Sequence, residues 1–333
     1  MIRRFLVILT IIGGISFNAN AQDPIFSQYY SAPLQINPAF AGHGYAPFFS
    51  LNYRNQWPSL RAYTTYSASY DQYLDYLNSG FGVMIMADDA GDGLLKMTKI
   101  SGVYAYRLKI NDDFWVKLGA EGSVVQARLD WDRLVFLDQI DVRNGPISPG
   151  GTPYPTEEER PDDVTNTYFD ASAGVLAYSK FFYGGFAIKH LNTPNESFLN
   201  INNNLNGGLP LRYTVHAGAE FQLSPGNKRK GGAFISPNIL WVRQGDFGQL
   251  NVGAYAGLGM VFGGVWYRNA QSNSDAVIAL VGVQKGIFKI GYSYDVTVSN
   301  RLSSESGGSH EISVSFRFKE PGIDFNDCFQ MFR

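Results

Sequence analysis

Residues 309–318 alternate regularly between apolar and polar side chains. From Glu311 to Phe318 the apolar residues are Ile312, Val314, Phe316 and Phe318, and the residues between them are Glu311, Ser313, Ser315 and Arg317. Successive side chains of a β-strand point to opposite faces, so this segment predicts a strand with one apolar and one polar face. One such strand would also suit a soluble β-sandwich. Its recurrence through most of the chain instead predicts a barrel in lipid, apolar outside and polar inside.

The start of the chain has the features of an export signal. Arg3 and Arg4 form a positive start, residues 5–15 are apolar, and residues 19–21 form an Ala-x-Ala cleavage motif. We therefore expect residues 1–21 to be removed and the mature chain to begin at Gln22. No later stretch reaches the roughly 18 apolar residues of a membrane-spanning helix, which leaves a secreted soluble protein or an outer-membrane barrel. The 24 Phe, 20 Tyr and 36 Gly, with 17% charged residues, favour the barrel.

Alternation and turn signals predict about fourteen strands, which form one all-β transmembrane antiparallel barrel over residues 45–318. The predicted spans are 45–56, 62–73, 79–88, 95–109, 113–128, 166–179, 181–190, 211–223, 232–243, 248–259, 261–269, 275–285, 286–297 and 309–318. The long connections, 130–165, 191–210 and 299–308, all fall on one side. Because outer-membrane barrels keep short turns in the periplasm, we expect these loops outside the cell. Both termini would be periplasmic, with 22–44 an N-terminal segment and 319–333 a C-terminal tail.

The charged residues expected to face the lumen carry both signs. They are Lys99, Arg107, Lys117, Glu121, Arg212, Glu220, Lys289, Asp295, Glu311 and Arg317. Opposite charges in a modest barrel pair across the interior, whereas an ion-selective pore would have a wall of one sign. The pattern therefore favours a scaffold or docking barrel over an open channel. The formal net charge of −2 gives no reason to expect a nucleic-acid partner.

The segment ahead of the first strand has no clean period but is rich in aromatic residues, Pro and Asn. Such a segment must pack somewhere: in the lumen, along the periplasmic rim, or against a partner. It starts with Gln22-Asp-Pro-x-Phe-Ser-Gln and contains Asn37-Pro-Ala-Phe-Ala-Gly42. With the closing strand Ile312-Ser-Val-Ser-Phe-Arg-Phe318, these motifs resemble the PorP/SprF family of type IX secretion and gliding-motility outer-membrane proteins.

The resemblance implies a non-enzymatic outer-membrane barrel without cofactors. Its partners would be the periplasmic ring and peptidoglycan-linked subunits of the type IX machinery, and the C-terminal domain of a large secreted adhesin attached at the cell surface. The candidate partner-binding residues are Asn37, Pro38, Phe40 and Gly42 in the N-terminal segment, Tyr154 in the longest loop, Lys228, Arg229 and Lys230 in a basic turn, and Phe329 in the tail. The alternative function is a transport barrel for small solutes.

Catalysis and metal binding have weaker support in the sequence. A surface lipid hydrolase would need a base near the outer rim, and His190 and His310 are the histidines that flank external loops. Ser309 and Glu311 cannot form a triad with His310, because neighbours on a strand face opposite sides. The acidic loop at residues 88–93 lacks the full spacing and closing Glu of a calcium loop. We therefore assign no catalytic, cofactor or metal residue.

Overall fold

A computed structural model describes residues 23–44, 46–198, 208–224, 232–270, 276–298, 307–318, 328–329 and 331–332. Its strands are β1 (Phe48–Gln56), β2 (Tyr63–Leu74), β3 (Ser79–Ala90), β4 (Leu95–Asn111), β5 (Phe114–Leu129), β6 (Thr165–Ser179), β7 (Phe182–Lys189), β8 (Arg212–Ala219), β9 (Phe221–Ser224), β10 (Ala233–Gln244), β11 (Phe247–Leu258), β12 (Val261–Ala270), β13 (Ala276–Lys285), β14 (Phe288–Thr297) and β15 (Ser309–Arg317).

These strands form one closed antiparallel sheet. Apart from β8 and β9, each strand pairs with its neighbour in sequence, and β1 also pairs with β15, which closes the ring. Because β8 and β9 both pair with β10 and occupy one position in the wall, the barrel has fourteen strands. The predicted fold class is confirmed, and the predicted spans lie within a few residues of the observed ones. One detail was wrong: the strand expected over 211–223 is interrupted at Glu220.

The alternation of the sequence becomes the two faces of the barrel wall. In β4, Ile100 is 57% exposed on the outside, whereas Lys99 and Ser101 are buried in the lumen. In β5, Val124 faces outward and Glu121 inward in the same way. Outward apolar side chains form the surface that lipid covers, and inward polar side chains must find partners inside the lumen.

The connections differ in length between the two ends of the barrel. The end called here the long-loop end is the one at which the longest connections leave the sheet, those that join β5 to β6, β7 to β8 and β14 to β15. The opposite, short-turn end carries tight connections such as 112–113 and 286–287. The prediction that the long connections share one end is thus confirmed.

Residues 23–44, called here the plug, lie inside the lumen. Asp23 contacts residues at the long-loop end, and Gly42 contacts β2 and β3 at the short-turn end, so the plug runs the length of the lumen before β1 begins. Its local structure is a 3-10 turn (Tyr29–Ser31), one helical turn α1 (Pro33–Ile36) and a second 3-10 turn (Pro38–Phe40). Of the three positions left open by the sequence, the lumen is the one observed. No described helix is long and apolar enough to cross a membrane.

Candidate functional site

The first anchor of the plug is a buried carboxylate of β15. Glu311 accepts hydrogen bonds from the backbone N–H groups of Ser27 (2.8 Å) and Gln28 (2.7 Å). The same carboxylate pairs with Arg54 at 3.0 Å, and Arg54 also pairs with Asp295 at 3.0 Å. Charges with such low exposure need both ionic partners and hydrogen bonds. The plug backbone therefore completes a charge network that belongs to the wall.

The second anchor holds the start of the plug at the long-loop end. Asp23 lies 3.0 Å from His190 Nε2 and 3.1 Å from Arg212, and His190 Nδ1 lies 3.1 Å from Asp170. Burial opposes the charge on His190, but the two carboxylates outweigh it and raise the pKa of His190 to about 9. Both ring nitrogens of His190, a candidate base in the sequence, are thus engaged with carboxylates.

The third anchor is Asn37, in the middle of the plug. Its side-chain amide donates to the carbonyl of Val175 (2.9 Å) and lies 3.1 Å from His216 Nε2, while its Oδ1 accepts from the N–H of Ala39 (2.9 Å). A Cβ on Gly174 would stand 2.1 Å from Asn37 Oδ1. The bare backbone of this wall position is what lets the plug approach so closely.

The plug ends at the short-turn end against β2 and β3. Gly42 has a positive φ of 65° and donates its N–H to Asp71 at 2.7 Å. Lys117 donates to the carbonyl of Ala41 at 2.5 Å. A Cβ on Gly80 would lie 1.9 Å from that same carbonyl oxygen, so plug and wall are in direct backbone contact here.

The described tail residues also lie inside the lumen. Cys328, Phe329, Met331 and Phe332 are each 1–2% exposed. The backbone N–H of Met331 donates to Glu220 at 3.3 Å, and its carbonyl accepts from Lys289. The break between β8 and β9 thus coincides with the residue that binds the tail. Burial, reinforced by the charge of Glu220, raises the pKa of the Cys328 thiol to about 12.

Plug and tail meet in an aromatic core. Phe40 stacks on Phe332 (ring centroids 5.0 Å apart) and on His216 (5.1 Å). Phe329 packs against Tyr178 (5.0 Å) and Tyr183 (5.5 Å) of the wall. Aromatic contacts of this kind add stability beyond the area that they bury. The short-turn half of the lumen is therefore filled by side chains.

A cavity of about 630 Å³ remains at the long-loop end, and we call it the vestibule. Asp23, Pro24 and Ile25 of the plug contribute to its lining. The remaining lining residues come from the wall and loops: Arg54, Gln56, Trp57, Tyr63, Thr65, Asp88, Ala90, Leu95, Met97, Ala127, Tyr168, Glu196, Phe198, Leu209, Phe247, Gln249, Arg268, Ala276 and Thr297. Its size and mixed lining are typical of a ligand site.

The predicted partner-binding residues fall into three groups. Asn37, Pro38, Phe40, Gly42 and Phe329 all have partners within the lumen, so their binding to another protein stays a prediction. Tyr154 is half-buried in the longest loop, where its carbonyl accepts from Gln139 at 2.7 Å. Lys228, Arg229 and Lys230 lie outside the described residues, as does the export signal.

The remaining candidates of the sequence are dispersed. His310 lies 2.8 Å from the hydroxyl of Tyr292. In the acidic loop, Asp92 pairs with Arg61 (3.2 Å) and Arg133 (3.5 Å), while Asp88 lines the vestibule. No cluster that could hold a metal ion is found among the described residues.

The vestibule could not be recognised from the sequence. Its residues come from most of the strands and two loops, so they have no common spacing. One signal was available: Asp23 lies inside the Gln22-Asp-Pro motif that carries the family resemblance. An acidic residue in an otherwise apolar packed segment predicts a buried cationic partner, which is what His190 and Arg212 supply.

Comparison with known proteins places the chain in a family. A sequence model of the family described as type IX secretion system membrane protein PorP/SprF matches residues 18–316. No curated protein matches the sequence. Solved structures similar to this chain include the KdgM porin (6% identity, TM-score 0.39, covering 82% of this chain and 99% of that chain). Others are Omp33 of Acinetobacter baumannii (9%, 0.42, 83% and 100%) and CdiB from Acinetobacter baumannii (7%, 0.45, 82% and 60%). The chain belongs to the PorP/SprF family of type IX secretion system membrane proteins and is an integral outer-membrane β-barrel.

Proposed function

We propose that this protein is a non-enzymatic component of type IX secretion that enables export and surface attachment of a large secreted adhesin. In this proposal the barrel acts as a docking scaffold and not as a pore. The observation that carries it is the plug, which follows the lumen from one end to the other and is bonded to the wall at three levels. A barrel whose lumen is blocked by a plug offers its two ends to partners.

The longest loop supports a docking role for the long-loop end. Leu137 is 91% exposed and Val142 is fully exposed, although neither faces lipid in a strand. The loop nevertheless has internal order, because Asp141 and Gly145 exchange backbone hydrogen bonds of 3.0 and 2.9 Å. Apolar side chains held at the tip of an ordered loop favour contact with another protein.

The opposite end would meet the secretion machinery. The predicted contact there is the basic turn at residues 228–230, together with the short connections of the barrel. The support for this arrangement is the membership of the PorP/SprF family, which implies partners in the type IX machinery.

The test is surface display in cells. The double change Leu137→Ser with Val142→Ser removes the two most exposed apolar side chains of the loop, and Val298→Ser at the same barrel end is the matched control. We expect the double variant to lose one large surface adhesin, measured by surface proteomics, while other exported proteins appear normally. Unchanged adhesin levels in this variant and in a strain that lacks the protein would refute the proposal.

Transport of small solutes is the competing function. Transport would require the plug and the tail to leave the lumen, and the hydrogen bonds and ion pairs that hold them to the wall would have to break. Swelling of liposomes that contain the purified barrel separates the two functions. Uptake of sugars or amino acids by wild-type protein would support transport, and uptake equal to that of empty liposomes would support docking.

A further inference from the structure

The vestibule has an excess of negative charge once the ion pairs at its base are considered. Arg54 and Arg268 face two carboxylates: both pair with Asp295, at 3.0 and 2.7 Å, and Arg54 also pairs with Glu311 at 3.0 Å. His190 and Arg212 likewise face two carboxylates, since both pair with Asp23 and His190 also pairs with Asp170. These pairs are complete within the wall and plug, so they contribute little net charge to a ligand.

Two further carboxylates line the vestibule without a cation. Asp88 accepts one hydrogen bond, from the hydroxyl of Thr65 at 2.5 Å, and within the described part of the chain it has no ion pair. Glu196 has neither an ion pair nor a side-chain hydrogen bond to any described residue. Burial raises the pKa of Glu196, the carboxylate of Asp23 raises it further, and the charge of His190 lowers it. A cation bound beside Glu196 would stabilise its charged form.

Other lining residues suit the rest of such a ligand. Trp57, Tyr63 and Tyr168 supply aromatic faces, which attract cations and cover aliphatic carbon. Gln249 lines the same cavity, is only 7% exposed as a residue and makes no hydrogen bond to a described residue. Its amide can therefore bond to a polar group of a ligand.

We propose that the vestibule is a binding site for a cationic group on an aliphatic stem, presented as a lysine or arginine side chain of a peptide. Asp88 and Glu196 bind the cation, the aromatic residues cover its stem, and Gln249 bonds to a polar group of the peptide backbone. The origin of the peptide, a protein that the barrel docks, rests on the proposed function. A free organic amine offers the same cation without the backbone.

The experiment is calorimetric titration of the purified full-length barrel in detergent. The probes are a capped pentapeptide Ser-Gly-Lys-Gly-Ser, the same peptide with Glu in place of Lys, and n-butylamine. We expect saturable binding of the lysine peptide that weakens with added salt, and no binding of the glutamate peptide. Binding of the lysine peptide alone identifies a peptide ligand. Equal binding of butylamine supports the cation site but assigns it to a free amine.

Variants decide whether the binding occurs in the vestibule. Asp88→Asn with Glu196→Gln keeps side-chain size and should weaken the lysine peptide at least about tenfold. The matched control is Glu158→Gln, an exposed acid of the longest loop at the same end. If the double variant does not fold, the single change Glu196→Gln replaces it. This residue lies in a loop, and its change should weaken binding severalfold. The proposal is overturned by absence of saturable binding, by equal binding of the glutamate peptide, or by unchanged affinity in these variants. Because the titration uses purified protein, its failure is distinct from failure of adhesin display in cells.

Discussion

Replacing Glu311 with Ala tests the main bond between plug and wall. The change removes the acceptor for the N–H groups of Ser27 and Gln28, and it removes one of the two carboxylates that pair with Arg54. Breaking a buried ion pair costs about 3–5 kcal/mol, and each hydrogen bond to a charged group contributes about 1.5–3 kcal/mol. Because Arg54 keeps its pair with Asp295, we expect the lower part of that range, about 3 kcal/mol.

Two measurements check this expectation. Guanidinium unfolding of the barrel in lipid vesicles gives the free energy of unfolding, and hydrogen exchange with mass spectrometry reports the protection of residues 23–44. We expect Glu311→Ala to lower both, and Glu311→Gln to have a smaller effect because the amide oxygen still accepts. Glu158→Ala, in the exposed loop, is the control. If Glu311→Ala leaves both stability and plug exchange at wild-type values, the anchoring described above is incorrect.

Further predictions concern the fit, the charge and the burial of the plug and tail. Gly119→Ala should destabilise the barrel by about 1–3 kcal/mol, because the new Cβ would lie 2.2 Å from the backbone N of Ala39. The control is Gly102→Ala, which has open space around it and should leave the free energy of unfolding unchanged. The pKa of His190 is raised in the fold to about 9, so its contribution to stability is full below about pH 6.5 and is lost as pH rises through about 9. The stability difference between wild type and His190→Gln should shrink over that window, and a constant difference would contradict the ion pairs. Because Cys328 is buried and its thiol pKa is raised, it should resist maleimide in the folded protein and react after denaturation. Rapid labelling of the folded protein would mean that the tail is outside the lumen.

The strands could be predicted because each has its own periodic signal. In β15 and β14 the alternation of apolar and polar residues is almost unbroken, and lipid outside with polar groups inside leaves one register for each strand. The break at Glu220 could not be predicted in this way. Glu220 accepts a hydrogen bond from Met331, more than 100 residues away in the sequence, and a local alternation pattern does not report such a contact.

The plug was recognisable as a packed segment, but its position was not. Its contacts join residues such as Ser27 and Glu311, 284 positions apart, and no local pattern encodes such a pairing. The wall glycines that admit the plug, such as Gly174, look in the sequence like any other small residue of a barrel strand. The charged residues of the lumen were correctly identified, yet their partners include plug atoms that the sequence could not assign.

Planar-bilayer conductance of the purified wild-type barrel shows whether the plug and tail block the lumen. Because both are bonded to the wall, we expect a silent bilayer over the voltage range that the membrane tolerates. A variant with Glu311→Ala and Gly119→Ala, in which the plug is loosened at two levels, should show intermittent openings. A steady, ohmic current through the wild-type protein would mean that the lumen is open.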